Sequence, residues 1–415
     1  MNRFFKDVRT IERMKRDPLG AYLVLYAAQL YAQGYARLSG RRKLQLAADF
    51  SRWLKRSKVG AHRVRAKHVS NYLQFRKRSG FGIQRGDRTA VTGFLELLRE
   101  QRVTNESLPQ PLIVTSSQRW LNEYDVYLQK ERSLSVATRI TYAPFVRQFL
   151  ISHFGRDRVD LSGLRAIDVL KFVRRQAGQL KTKRVLLMTS ALRSFLRFAR
   201  YCGKINLDLA ACVPSVASWS LSTIPKALPL AQVEQVLAET RNRSTAVGRR
   251  DYAILMLLAR LGLRGGEVCR LTLEDIDWEN SRIAVRGKGD RMAQLPMPAD
   301  VGEAIVSYLK DGRPRLPGNR FLFIRVRAPL IGFKRQGSIG TVVKHALERA
   351  KIDSPRKGAH QFRHALASTM LQNGSSLSEI GELLRHRSPD TTAIYAKADI
   401  LSLRALALPW PGGAS

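Results

Sequence analysis

The chain has 415 residues, and its 72 Lys and Arg residues outnumber its 33 Asp and Glu residues, which gives a formal net charge of +39. So large a surplus predicts an anionic partner, and nucleic acid is the leading candidate. No apolar run is long enough to cross a bilayer, and no apolar stretch follows the basic N-terminus, so a membrane or secreted protein is not expected. Three cysteines without metal-site spacing fit a cytoplasmic protein that holds no metal.

Two polar, proline-containing segments, residues 102–117 and 213–229, are predicted linkers. They divide the chain into a basic helical unit (1–105), a second helical unit (117–213), a third domain (226–407) and a C-terminal tail (408–415). The first hundred residues have 23 basic and 7 acidic side chains, so the positive charge is spread along the chain and is not confined to a tail.

The first two segments are predicted to be helical copies of one another. Residues 25–54 align without a gap on 121–150 at an offset of 96, and two later blocks follow in the same order. Apolar residues recur at i, i+3 and i+4 in both copies, as in amphipathic helices. Shared periodicity alone would also give a partial alignment, but the blocks follow in the same order in both segments, which favours a tandem repeat of a small DNA-binding unit.

Clustered basic side chains mark the predicted DNA contacts of both helical units, because phosphates are bound through Lys and Arg. The predicted DNA-binding residues are Arg41, Arg42, Lys43, Arg63, Arg65, Arg139, Lys181, Lys183 and Arg184.

The third segment is predicted to mix helices with one β-hairpin. A buried helix covers 249–263, and the strands 281–285 and 292–297 flank a glycine-rich turn. Four further helices are predicted over 298–310, 338–350, 361–373 and 376–386. Pro389 is expected to open a short helix that carries Tyr395.

Four stretches of this segment resemble the signature motifs of the tyrosine recombinases, or integrases. They are "ARLGLRGGEVCRLTLEDID", "VRGKGDRMAQLPMP", "GAHQFRHALASTMLQNG" and "LLRHRSPDTTAIYAK". The resemblance covers about residues 117–407 and implies a multidomain protein, with α-helical N-terminal DNA-binding units of the SAM-like core-binding type and a mixed α+β catalytic domain. The residues that match the family's catalytic positions are Arg264, Lys288, His360, Arg363, His386 and Tyr395, with Glu267 in support.

The resemblance implies that Tyr395 attacks a DNA phosphate to form a 3′-phosphotyrosyl link, without metal, ATP or other cofactor. Lys288 matches the general acid for the leaving oxygen, and His360 a general base or phosphate ligand. Two guanidiniums, Arg264 and Arg363, suit this chemistry because they can clamp the oxygens of a transition state that gains negative charge. His386 matches a phosphate-binding position.

Each of these residues alone has an ordinary structural explanation; Tyr395, for example, could belong to the core. Their joint occurrence in order favours catalysis. His364 and His345 are expected to be structural. Phe362 and Ala365 depart from the usual leucine and threonine, which leaves the chemistry unaffected.

The expected function is that of a bacterial, nucleoid-associated recombinase of a mobile element. The implied partners are duplex DNA at inverted-repeat sites and three further copies in a tetramer on two duplexes; whether sister recombinases are also partners is left open. The alternatives are a type IB topoisomerase, a telomere-resolving enzyme, or a DNA-binding protein that has lost catalysis. The role of the first hundred residues, the target site, and the choice among integration, excision and transposition are left open.

Overall fold

The structure is a computed structural model. The residues that it describes are 1–84, 86–104, 115–155, 158–217, 227–287, 291–333, 336–354, 356–386 and 388–396. The described residues of Met1–Glu106 and Thr223–Ser415 form one compact unit, and those of Ser107–Ser222 form another. Within the described ranges, every helix is too short or too polar to span a bilayer.

The described residues of 1–104 fold into helices around their own apolar core. The helices are α1 (Val8–Lys15), α2 (Gly20–Ala32), α3 (Arg37–Arg56), α4 (Ala66–Arg78) and α5 (Asp87–Glu100). Asp7 caps α1 by accepting the N–H groups of Arg9 and Thr10, both at 3.1 Å. Buried side chains from α2, α3 and α5, including Tyr26, Phe50 and Phe94, form the core.

The second compact unit is also helical, as predicted. Its helices are α6 (Ser116–Lys130), α7 (Val136–Phe154), α8 (Ala166–Ala177) and α9 (Thr182–Tyr201). Thr115 and Ser135 cap α6 and α7 by accepting backbone N–H groups three residues later. Phe149, Phe172 and Phe195 lie in the core that these helices enclose.

The described residues from 227 onward combine helices with a small sheet, which confirms the mixed α+β prediction. The elements are α10 (Leu230–Arg241), α11 (Ala246–Arg260), α12 (Gly265–Arg270), β1 (Ile276–Asp277), β2 (Arg282–Arg286), β3 (Met292–Pro296), α13 (Ala299–Asp311), α14 (Gln336–Arg349), α15 (His360–Gln372), α16 (Leu377–Leu383) and α17 (Pro389–Ala393). The sheet is antiparallel in the order β1-β2-β3, and Ile283 of β2 faces Leu295 of β3. Its buried residues join the core around α11, which is buried on nearly every side.

One expectation about the C-terminal elements is wrong. Pro389 does open α17, and Ser388 caps it, but the helix ends at Ala393. Tyr395 therefore lies in the turn beyond the helix, where its N–H bonds the carbonyl of Thr392 at 2.9 Å. Five residues are too few for this helix to fix a side chain by itself, so the position of the tyrosine depends on tertiary contacts.

Candidate active site

Arg264 is placed by the start of a short helix. It is the N-cap residue of α12, and the Glu267 carboxylate accepts both its backbone N–H at 2.9 Å and its Nη1 at 2.8 Å. Glu267 is only 2% exposed, whereas about a third of the Arg264 side chain reaches solvent. The buried carboxylate thus orients a guanidinium that remains accessible to a ligand.

Arg363 is held between two other segments. It lies in the first turn of α15, is 3% exposed, and donates Nη1 to the carbonyl of Gly262 at 2.6 Å and Nη2 to the carbonyl of Leu384. Gly262 has φ +57°, and a Cβ there would come within 2.7 Å of the Leu384 side chain. Only glycine fits this close approach without strain. Each Nη of Arg363 retains a second N–H, so the group can still bind an anion.

A third arginine, Arg385, completes the charged cluster. Its Nη2 donates to Glu267 at 3.0 Å, so one carboxylate pairs with two guanidiniums. Burial acts to raise the pKa of Glu267, but the Arg264 N–H and the charges of Arg385 and Arg264 hold it below its usual value. Arg363 adds a third guanidinium beside this pair, and it donates to the carbonyls of Gly262 and Leu384. The cluster therefore keeps an excess of positive charge that suits an anionic ligand such as a phosphodiester.

Tyr395 is covered, and its hydroxyl meets an imidazole. The ring is 1% exposed and belongs to a small core with Ala367, Ile380 and Leu384. Its hydroxyl lies 2.9 Å from Nδ1 of His364. His364, which is expected from the sequence to be structural, is thus the hydrogen-bond partner of the tyrosine hydroxyl, a contact that a structural and a catalytic role both allow.

The electrostatics of this pair leave the phenol protonated and the imidazole neutral. Burial raises the pKa of Tyr395, against the lowering effect of the Arg363 and Arg264 charges. Burial, followed by the charges of nearby basic groups, lowers the pKa of His364 to about 4. A neutral imidazole whose Nδ1 carries no hydrogen can accept a hydrogen bond from the phenol.

Two more histidines lie close to the tyrosine. The His386 ring is nearly parallel to that of Tyr395, with ring centres 6.4 Å apart, and its Nδ1 lies 2.7 Å from the Thr392 hydroxyl. Burial and the charge of Arg363 are the main causes that lower the pKa of His386 to about 4. His360 begins α15 with its ring centre 6.4 Å from that of His364, and burial lowers its pKa as well.

The structure thus gathers five of the six predicted catalytic residues in one region, together with Glu267. The sixth, Lys288, lies outside the described residues, as do the tail 408–415 and most of both predicted linkers. Sequence reasoning missed Arg385 and the contact of His364. The available signal was that both flank predicted site residues, one step before His386 and one step after Arg363.

The predicted DNA-binding residues differ in their surroundings. Arg42 pairs with Asp87 at 2.9 Å, and Arg139 pairs with Asp125 at 2.6 Å. Lys43 is half-buried with its Nζ 4.8 Å from the centre of the Tyr35 ring, and Arg65 is partly buried at the start of α4. The exposed members of the set are Arg41, Arg63, Lys181, Lys183 and Arg184.

Comparison with known proteins gives two family matches. Residues 226–400 match the phage integrase family, and residues 121–202 match the phage integrase N-terminal SAM-like domain. A protein of Sinorhizobium fredii (strain NBRC 101917 / NGR234) named integrase/recombinase y4rA is 45% identical over 407 residues, which cover 97% of this chain and 97% of that protein. Tyrosine recombinase XerA of Thermococcus onnurineus (strain NA1) is 30% identical over 285 residues, which cover 68% of this chain and 92% of XerA.

Solved structures share the fold at low sequence identity. The XerH site-specific recombinase bound to palindromic difH substrate aligns with a TM-score of 0.56 at 19% identity, over 73% of this chain and 90% of XerH. A fragment of the lambda integrase bound to a core site aligns with a TM-score of 0.52 at 16% identity, over 67% of this chain and 94% of the fragment.

Proposed function

This chain belongs to the tyrosine recombinases of the phage integrase family, and from that premise we propose that it cuts and rejoins duplex DNA at specific sites through a 3′-phosphotyrosyl intermediate. The observation that carries the proposal is the hydrogen bond between the Tyr395 hydroxyl and His364, beside the guanidiniums of Arg264 and Arg385 on one carboxylate and that of Arg363 on two carbonyls. A mobile element is the proposed setting.

In the proposed cleavage step, Oη of Tyr395 attacks a DNA phosphorus and forms a phosphotyrosine bond. The bond from phosphorus to the 5′ oxygen breaks, and the phenolic proton passes to Nδ1 of His364. Lys288 supplies the proton that the leaving 5′ oxygen needs, by analogy with the family. The reverse attack by a 5′ hydroxyl of another strand restores the tyrosine. The bond energy stays in the covalent intermediate, so no energy source has to be consumed.

The arginines are proposed to stabilise the phosphate as it gains negative charge. Arg264 has a partly exposed guanidinium whose orientation is fixed by Glu267, and Arg363 is fixed by two carbonyls. Donors that are already in place need no reorganisation when the transition state forms, which is worth several kcal/mol. His360 and His386 are proposed phosphate ligands, and His360 is a second candidate for the general base.

Cleavage requires the covered tyrosine to become accessible. Leu384, whose carbonyl binds Arg363, and Tyr395 belong to one short stretch of chain. An outward movement of residues 384–396 on DNA binding would release an N–H of Arg363 and the tyrosine hydroxyl together. In this proposal the enzyme is therefore inactive until DNA is bound.

The proposed assembly has four copies of the chain on two duplexes, each duplex with two inverted half-sites, and sister recombinases are candidate partners. Residues 117–213 would be the core-binding domain and 226–407 the catalytic domain. Helix α9 has five basic residues and no acidic one, and this positive charge supports DNA contact by the core-binding domain.

The test uses nicked duplexes taken from the DNA that flanks the gene, where inverted half-sites are expected. The purified protein should become covalently attached to the 3′ phosphate of one strand, and Tyr395→Phe should bind the same duplex without attachment. Strand exchange between two duplexes should follow. Relaxation of supercoils without exchange would support a topoisomerase instead, and binding without any adduct would support a protein that has lost catalysis.

A further inference from the structure

We propose that residues 1–104 are a second copy of the core-binding unit, and that this copy binds the backbone of duplex DNA through a different surface, the loop between α3 and α4. We call residues 55–67 the α3–α4 loop surface. The inference rests on the proposed function, because it adds contacts to the same DNA.

The two units are built from the same arrangement of helices. In the first, α2 packs on α3, α3 on α5, α4 on α5, α2 on α5 and α3 on α4. The corresponding pairs of the second unit, α6–α7, α7–α9, α8–α9, α6–α9 and α7–α8, are also in contact. A common helical periodicity does not dictate which helices pack together, so the shared set of contacts indicates a shared fold.

A specific side-chain contact is repeated as well. Tyr26 of α2 donates its hydroxyl to the carbonyl of Ala90 at 2.8 Å, and its ring centre lies 5.4 Å from that of Phe94. In the second unit the same contacts, at 3.4 Å and 5.4 Å, are made by Tyr124, Ala191 and Phe195. In each unit the alanine and the phenylalanine are one turn apart on the last helix.

The repeat also corrects the predicted alignment of the first helix. Leu23, Tyr26 and Leu30 are the buried residues that correspond to Leu121, Tyr124 and Leu128, which is an offset of 98 in place of the predicted 96. The later blocks hold as predicted, at offsets of 100 and 101. Helices α4 and α8, which correspond to one another, both start with an arginine N-cap. The backbone N–H of that arginine donates to the side chain three residues later, His68 in α4 and Asp168 in α8. An offset of 96 would match exposed residues of α2 with the buried residues of α6.

The positive charge lies on different elements in the two copies. In the second copy, α9 has five basic and no acidic residues. Its counterpart α5 has two basic residues and three acidic ones. Between Asp49 and Asp87, in contrast, the first copy has eleven Lys and Arg residues and no acidic residue. A face equivalent to α9 is therefore a poor DNA-binding surface in the first copy.

The α3–α4 loop surface is basic and largely exposed, and its charges have no carboxylate partner among the described residues. Within the part of the chain that the structure describes, none of its Lys and Arg side chains lies within 4.0 Å of a carboxylate. The exposed members are Lys55, Arg56, Lys58, Arg63 and Lys67. Phosphates of a duplex are the anions that such a row of cations fits, and the family's substrate supplies them.

The first copy contacts the C-terminal part of the chain at the end of α3 that lies opposite the α3–α4 loop surface. The turn between α2 and α3 contacts the catalytic segment, where the N–H of Leu330 donates to the carbonyl of Gln33 at 2.9 Å. The loop follows the opposite end of α3, which has 20 residues and is therefore about 30 Å long. That length corresponds to roughly nine base pairs of DNA. Contacts from the loop would thus lie well away from the contact at Leu330.

The experiment compares two triple variants of the full chain. The loop variant is Lys55→Gln, Lys58→Gln and Arg63→Gln, and the matched control removes the same charge near α5 by Arg88→Gln, Arg99→Gln and Arg102→Gln. Affinity for one duplex is measured by fluorescence anisotropy over a salt series. We expect the slope of log affinity against log salt to become shallower by about 2 to 3 in the loop variant and to stay unchanged in the control.

Equal slopes in the loop variant and the wild type, or an equal loss in both variants, would overturn the proposal. Normal DNA binding by the loop variant with a lost tetramer in sedimentation would also overturn it, because the surface would then bind protein. Adduct formation on a nicked half-site is measured in parallel and should be retained in the loop variant. If the wild type itself forms no adduct, the proposed function fails, while the salt slopes still decide whether the loop binds DNA.

Discussion

Replacement of His364 tests whether its contact with Tyr395 serves catalysis or only packing. His364→Leu leaves a buried hydroxyl without its acceptor, which costs about 1 to 3 kcal/mol of stability. His364→Gln can keep a hydrogen bond but cannot take up a proton at neutral pH. Because a positioned general base contributes about 10² to 10⁴ in rate, both variants should form the phosphotyrosine adduct at least about a hundredfold more slowly than the wild type.

The assay follows adduct formation on a nicked duplex under single-turnover conditions. His345→Gln, at an exposed position of α14, is the matched control and should cleave normally. The free energy of unfolding in urea is measured for His364→Leu, Tyr395→Phe and the double variant. Each single variant already lacks the hydrogen bond, so the double variant should lose about 1 kcal/mol less than the sum of the two single losses. Wild-type cleavage by His364→Gln would refute the base assignment, and additive stabilities would refute the hydrogen bond itself.

Three further predictions concern charge. Glu267→Gln should lower the free energy of unfolding by about 3 kcal/mol in urea titration, because two guanidiniums lose a buried partner, whereas the exposed control Glu274→Gln should change little; equal effects would contradict this. As pH falls from 6.5 to about 4, the melting temperature should drop, since the unfolded chain binds protons at His364 and His386 that the folded chain excludes; a flat profile would contradict it. Arg363→Ala should lose at least about a hundredfold in cleavage rate with nearly unchanged DNA affinity, and normal cleavage would exclude a role in the transition state.

The helices and the hairpin were predictable because their signals are local. Apolar periodicity, caps and proline positions gave α11, the strands around the glycine-rich turn, and the start of α17. The end of α17 was not predictable in this way. Thr391–Tyr395 continues without a helix-breaking residue, and the turn at Tyr395 depends on its burial against α15 and α16.

The sequence suggests the members of the candidate site but not the contacts among them. The resemblance to the tyrosine recombinase motifs names Arg264, Arg363 and Tyr395 as candidates. The link from Arg385 to Glu267 joins residues 118 positions apart, and that from His364 to Tyr395 joins residues 31 apart. Such pairs depend on how α12, α15 and the last turn come together, and a single sequence has no local pattern that reports it.

We expect the arginines of the candidate active site and the unpaired cations of the α3–α4 loop surface to have different uses. Arg264, Arg363 and Arg385 each donate to a buried carboxylate or a carbonyl, which fixes their geometry at the expense of part of their hydrogen-bonding capacity. Lys55 and Lys58 have no carboxylate within ion-pair distance in the described structure, so their charge is fully available but their position is not fixed. Transition-state stabilisation needs fixed donors, whereas attraction to a DNA backbone needs only local charge. The presence or absence of internal partners therefore separates the arginines of the proposed cleavage site from the cations proposed to bind DNA, whereas the net charge of +39 does not distinguish them.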